Sequence, residues 1–66
     1  METLTCSSIT MANGTTYRKG MFVMAYDKSC DYKRMAQVAW LGLAEIGVTF
    51  LDGPTVELKY SQVSKA

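Results

Sequence analysis

Apolar and polar residues alternate with a period of two through the second half of the chain, and that period belongs to strands. In IGVTFLDGPTVELKYSQV, residues 46–63, Val48 and Phe50, then Val56, Leu58 and Tyr60, alternate with polar neighbours on either side of Asp52-Gly53. The pattern predicts an antiparallel hairpin exposed on one face, with a two-residue turn at Asp52-Gly53. Pro54 is admitted to the turn because it has no amide to give to the ladder.

Upstream the pattern changes. In MFVMAY, residues 21–26, Phe22, Met24 and Tyr26 alternate with Met21, Val23 and Ala25, so both faces are apolar. This predicts a strand buried on both faces or curling through a small barrel. Before it, TLTCSSITM, residues 3–11, is rich in β-branched and hydroxyl side chains and suits an edge strand or an ordered N-terminal arm. Asn13-Gly14 follows, the dipeptide best able to take positive φ at both centres of a type I′ turn. The polar stretch DKSCDYK, residues 27–33, predicts a loop.

Two periods compete in RMAQVAWLGLAEIG, residues 34–47. Ala36, Ala39, Trp40, Leu43 and Ile46 fall at near-helical spacing, and the alanines favour a helix over about 32–46. At strand period, Ala36, Val38 and Trp40 share one face and Gln37, Ala39 and Leu41 the other. Gly42 and Gly47 would each cost a helix about 1 kcal/mol relative to Ala, and the segment runs into a clear β pattern. We read strand, turn, strand, and hence an all-β chain; the helix over 32–46, in a ββαββ arrangement, is the alternative.

With 66 residues the chain holds one domain, divided into an arm or edge strand over 1–16 and a small β-barrel over 17–66. Hydrophobic residues make up 48% and charged ones 20%, which predicts a folded core rather than disorder. Seven Lys and Arg against six Asp and Glu leave no long-range field to draw the chain to nucleic acid or anionic lipid. No apolar run approaches the ~20 residues of a membrane helix. The start, METLTCSSIT, lacks the basic and apolar regions of a signal peptide, which predicts a cytoplasmic or nuclear protein. Cys6 and Cys30 are read as thiols, because small disulfide scaffolds carry four or more cysteines. Two Cys and no His exclude a structural zinc site, and no cofactor is expected. No nucleophile is paired with a base, so catalysis is not expected either.

In order along the chain stand Tyr17-x-x-Gly20-x-x-Val23, Ala36-x-Val38, Gly47-Val48-x-Phe50-x-Asp52-Gly53 and Ser61-x-Val63. The series resembles a Tudor-type barrel, a five-stranded relative of the Src-homology-3 fold, over about residues 17–65. The stretch MAQVAWLG is also similar to the C-terminal barrel of retroviral integrases, a nucleic-acid-binding module, although that family is strongly basic. The Tudor resemblance implies a ligand pocket formed by Tyr26, Tyr32, Phe50 and Asp52. Ring faces there would attract a methylated lysine or arginine, aided by one carboxylate. Arg34 and Pro54 stand where further aromatics would be expected, and an Arg beside a cation pocket opposes the ligand's charge.

Each of these residues also has an ordinary reading. Tyr26, Tyr32 and Phe50 serve equally as core or rim aromatics, Trp40 as a core plug, and Asp52 as the cap of its own turn. The expected function is a non-catalytic binding module for a protein or peptide, its ligand being a methylated lysine or arginine if the resemblance extends to the pocket. A small regulator that covers a partner protein, of phage or mobile-element type, is the alternative, and a nucleic-acid-binding barrel is the third. An edge left open in so small a barrel also predicts homo-oligomerisation, with segment 3–11 pairing on a neighbouring chain.

Overall fold

The hairpin expected over residues 46–63 is present, as one part of a longer antiparallel meander. The computed structural model describes residues 7–66. Among these residues are seven strands and one 3-10 turn: β1 (Ser8–Thr10), β2 (Thr16–Arg18), β3 (Phe22–Asp27), β4 (Tyr32–Leu41), β5 (Glu45–Phe50), β6 (Thr55–Lys59), the turn Tyr60–Gln62, and β7 (Val63–Lys65). Among the described residues there is no α-helix, so the helical alternative over 32–46 is overturned. Residues 32–41 are one strand, because the partners on both sides satisfy its backbone in a sheet, which outweighs the helix preference of its alanines.

The strands form two sheets. β1 and β2 pair as a two-stranded hairpin, and the other five lie in the order β6-β5-β4-β3-β7. β7 closes the chain by returning to β3, with Val63 opposite Ala25. The connection from β2 to β3 is tied to β4, where Gly20 N–H donates to Val38 O at 2.8 Å and Val38 N–H to Met21 O at 2.8 Å. Residues 1–6, including Cys6 and the first part of the expected arm, lie outside the described residues; Cys30 is a free thiol.

One face of the large sheet holds the core: Val23 and Ala25 of β3, Ala36, Val38 and Leu41 of β4, Ile46, Val48 and Phe50 of β5, and Val63 of β7. Tyr17 of β2 joins them, and its hydroxyl donates to Val63 O at 3.3 Å. A sheet without helices can bury one face only by curling over it, and Ile9, Met11, Val56, Leu58 and Tyr60 complete the cover. β3 is therefore one-sided, not buried on both faces. Val23 and Ala25 are buried while Phe22 is 50% exposed, because the outer side of β3 carries no second layer.

A bulge redirects the middle of β4. Val38 pairs with Val48 but Trp40 pairs with Gly47, so the register shifts by one residue at Ala39. The shift returns Leu41 to the buried face and turns Trp40 away from Ala36 and Val38. Trp40 does not plug the core; its indole lies flat against Gly47 on the opposite side of the sheet, where any side chain on Gly47 would overlap the ring.

The two hairpin connections share one design, and it is not the two-residue turn that the dipeptides predict. Gly14 N–H donates to Met11 O at 2.9 Å and Met11 N–H to Thr15 O at 2.7 Å; Gly53 N–H donates to Phe50 O at 3.1 Å and Phe50 N–H to Pro54 O at 3.1 Å. Threonine hydroxyls face each other across both ends, Thr10 and Thr16 at 2.9 Å, Thr49 and Thr55 at 2.8 Å. Each follows the spacing T-x-x-x-G-x-T. Asn13 does not take positive φ; Gly14 alone does, at 90°, which excludes a type I′ turn there.

Candidate functional site

Inward-facing positions of β4 run Arg34, Ala36, Val38, so the strand that builds the core also aims one guanidinium at the open end of the sheet. There Arg34 Nη1 meets Asp27 Oδ2 at 2.6 Å and Nη2 meets Asp52 Oδ2 at 2.7 Å. Its guanidinium carbon stands 5.6 Å from the centre of the Phe50 ring. One cation thus ties the end of β3 to the β5–β6 connection and covers the single face that Phe50 turns out of the core.

The two carboxylates reach Arg34 by different local routes. Asp27 opens the turn between β3 and β4; Ser29 donates to its Oδ1 from the backbone at 2.9 Å and from the hydroxyl at 2.7 Å. The turn ends at Asp31, in left-handed backbone at φ 58°, whose Oδ1 accepts from the Tyr26 hydroxyl at 2.8 Å. Asp52 is held by contrast. In the matching first hairpin Asn13 Oδ1 accepts from Thr15 N–H at 2.9 Å, capping its own turn. The position equivalent to Thr15 is Pro54, which has no N–H, so the Asp52 side chain is released to Arg34. Asp52 is not the turn cap that Asp before Gly predicts.

A groove of about 680 Å³ opens over this network. It is lined by Tyr26 to Ser29 at the end of β3, by Val56 to Leu58 of β6, and by Arg34, Phe50, Asp52 and Pro54. Of the four residues that the sequence nominates, Tyr26, Phe50 and Asp52 line it. Tyr32 does not: it opens β4 opposite Asp27 and is 61% exposed, away from the groove. Phe50 is only 4% exposed, so it belongs to the core as much as to the groove. Arg34 occupies the cation's place over the ring. The sequence signal for it is the parity of β4: an Arg on the inward side of a strand requires carboxylates at the strand end.

Charge at the groove responds to pH in two directions. The Ser29 hydroxyl, then Arg34, then the Ser29 amide stabilise the Asp27 carboxylate, holding it at about 2 against an ordinary 3.8; Arg34 lowers Asp52 likewise. A lowered carboxylate stabilises the fold above its ordinary value and loses that contribution as pH falls through its folded value. Glu57 is displaced upward by its hydrogen bond to Glu45, so it favours the fold in weak acid and opposes it as pH rises through its folded value. The melting temperature is therefore expected to be highest in weak acid and to fall as pH drops from about 3.8 to about 2, the range over which folded Asp27 resists protonation. Glu57→Gln should flatten the neutral side and Arg34→Met the acid side; superimposable profiles for the three proteins would contradict this.

Among the described residues no three metal-ligating side chains converge, and no helix is long and apolar enough to cross a membrane. Among known proteins, no family model matches the chain, and no curated protein or solved structure matches it either.

Proposed function

We propose that this protein is a non-catalytic binding module that takes a protein or peptide segment into the groove beside Arg34, on a small five-stranded barrel of the Tudor and Src-homology-3 kind. The barrel reading draws support from the strand order, a four-strand meander followed by a 3-10 turn and a last strand that returns to the first. The observation that carries the function is the groove itself. It is concave, has apolar walls at Tyr26, Pro54, Val56 and Leu58, and holds a few convergent charges, the usual make-up of a recognition site.

The finer reading, a methylated lysine or arginine as the recognised group, rests on the Phe50 face, which already accepts a guanidinium flanked by carboxylates. In this chain that guanidinium is internal. A methylated cation enters only by displacing Arg34, so the intact protein should bind dimethylarginine and unmodified arginine peptides alike. Arg34→Ala, which vacates the ring and frees two carboxylates, should bind the dimethylarginine peptide on the order of tenfold more tightly than the intact protein does. Titration calorimetry with the two peptides decides it. Equal affinity of the intact protein and Arg34→Ala for the methylated peptide would remove the methyl-cation reading.

A further inference from the structure

The groove has a backbone wall as well as side chains. β6 ends the five-stranded sheet, and on its outer side no strand is paired among the described residues. The groove is lined both by β6, over Val56 to Leu58, and by the turn that follows Asp27, so it lies beside the edge at which one more strand would continue the sheet. An unpaired edge presents a row of N–H and C=O groups that an extended chain satisfies by strand addition.

We propose, on the reading of the groove as a binding site, that its occupant is one extended segment of a partner protein. The segment pairs with β6, placing alternate apolar residues beside Val56 and Leu58 and a Lys or Arg opposite Glu57. Period two along β6 sets this alternation: Val56 and Leu58 are half-buried on the side that packs against the core while Thr55, Glu57 and Lys59 are exposed. Charge selects the basic residue. Asp27, Asp52 and Glu57 line the groove against Lys28 and Arg34, and Arg34 is already shared by two carboxylates. Glu57 faces Gly47 in β5, which offers it no cation; its side chain meets another carboxylate, Glu45, and the Lys59 that shares its side of β6 stands opposite Glu45. A cation on an added strand fills that position.

A second copy is a poorer occupant. The longest two-fold pairing of β6 with itself centres on Glu57 and sets the two carboxylates directly opposite each other, which disfavours it. The pairing that would set Glu57 against Lys59 centres on Leu58 and is cut short where the chain turns into the 3-10 segment at Tyr60.

The probe is a displayed random heptapeptide library panned on the full chain, with enriched sequences resynthesised and their footprint read from backbone amide shifts and hydrogen exchange. We expect enriched peptides to alternate apolar residues with Lys or Arg and to slow exchange at residues 55–59. Glu57→Lys should weaken them about tenfold, the swing from an attractive to a repulsive cross-strand pair, and should itself enrich peptides with Asp or Glu. Enriched peptides that perturb the 27–34 rim without protecting 55–59, or that ignore Glu57→Lys, would overturn the strand addition and leave the binding-module reading standing. Enrichment of nothing would overturn both. Enriched peptides that act only by shifting sedimentation toward a dimer would assign the edge to a second copy and overturn the proposal.

Discussion

Gly47→Ala is expected to remove most of the stability of this protein. Gly47 is buried without being in the core, because the Trp40 indole lies across its backbone, and an added methyl would overlap Nε1, Cε2 and Cδ1 of the ring. The indole then lifts off the sheet, or β4 and β5 separate near the bulge. Overpacking of this kind costs typically about 1–3 kcal/mol and occasionally more, against a net stability of only ~3–5 kcal/mol for a domain this small. A fall of roughly 5–20 °C in melting temperature follows. Trp40→Ala should relieve part of the loss, so the double variant should be more stable than the sum of the two single effects. Strict additivity in denaturant unfolding would mean that the ring and the glycine are not in contact.

The second large effect is expected at Phe50. Its ring is 4% exposed among Ala36, Val48 and the other core residues, and Phe50→Ala should cost about 3–5 kcal/mol, enough to unfold the chain. Loss of binding in that variant would say nothing about a ligand. Phe50→Leu separates the two roles: it keeps most of the apolar volume, should cost less than about 1.5 kcal/mol, and removes the ring face beneath Arg34. The Leu variant should therefore remain folded with Arg34 less well held, seen as faster exchange and broader side-chain signals of its guanidinium. A Phe50→Ala protein with an unchanged unfolding midpoint would show that the ring does not support the core.

Strands, with their approximate limits, could be read from local pattern. Period two in Val48, Phe50, Val56 and Leu58 identified the β5–β6 hairpin, since a half-exposed strand alternates whatever its partners are. The same rule chose strand over helix for residues 34–41, where the two glycines that follow weighed against the alanines. The partial apolarity of both sides of β3 misled, because hydrophobic residues are also common on exposed faces, and Phe22 and Met24 face outward without a second layer. The turns misled in detail. Asn-Gly and Asp-Gly mark a reversal, but which hydrogen bonds close it depends on the strands it joins.

By itself, then, the chain determined an all-β meander and placed Tyr26, Phe50 and Asp52 at strand ends, since alternation and turn residues act over a few neighbours. Only the tertiary structure decided what those residues meet. The bulge at Ala39 reverses the facing of Trp40, Pro54 releases Asp52 from its own turn, and Arg34 takes the position over Phe50 that a ligand's cation would have taken. Asp27, Arg34 and Asp52 are separated by seven and eighteen residues along the sequence, and no local pattern couples them. Their pairing exists because β3, β4 and β5 lie side by side and end together, and a guanidinium drawn inward by strand parity must find its carboxylates there.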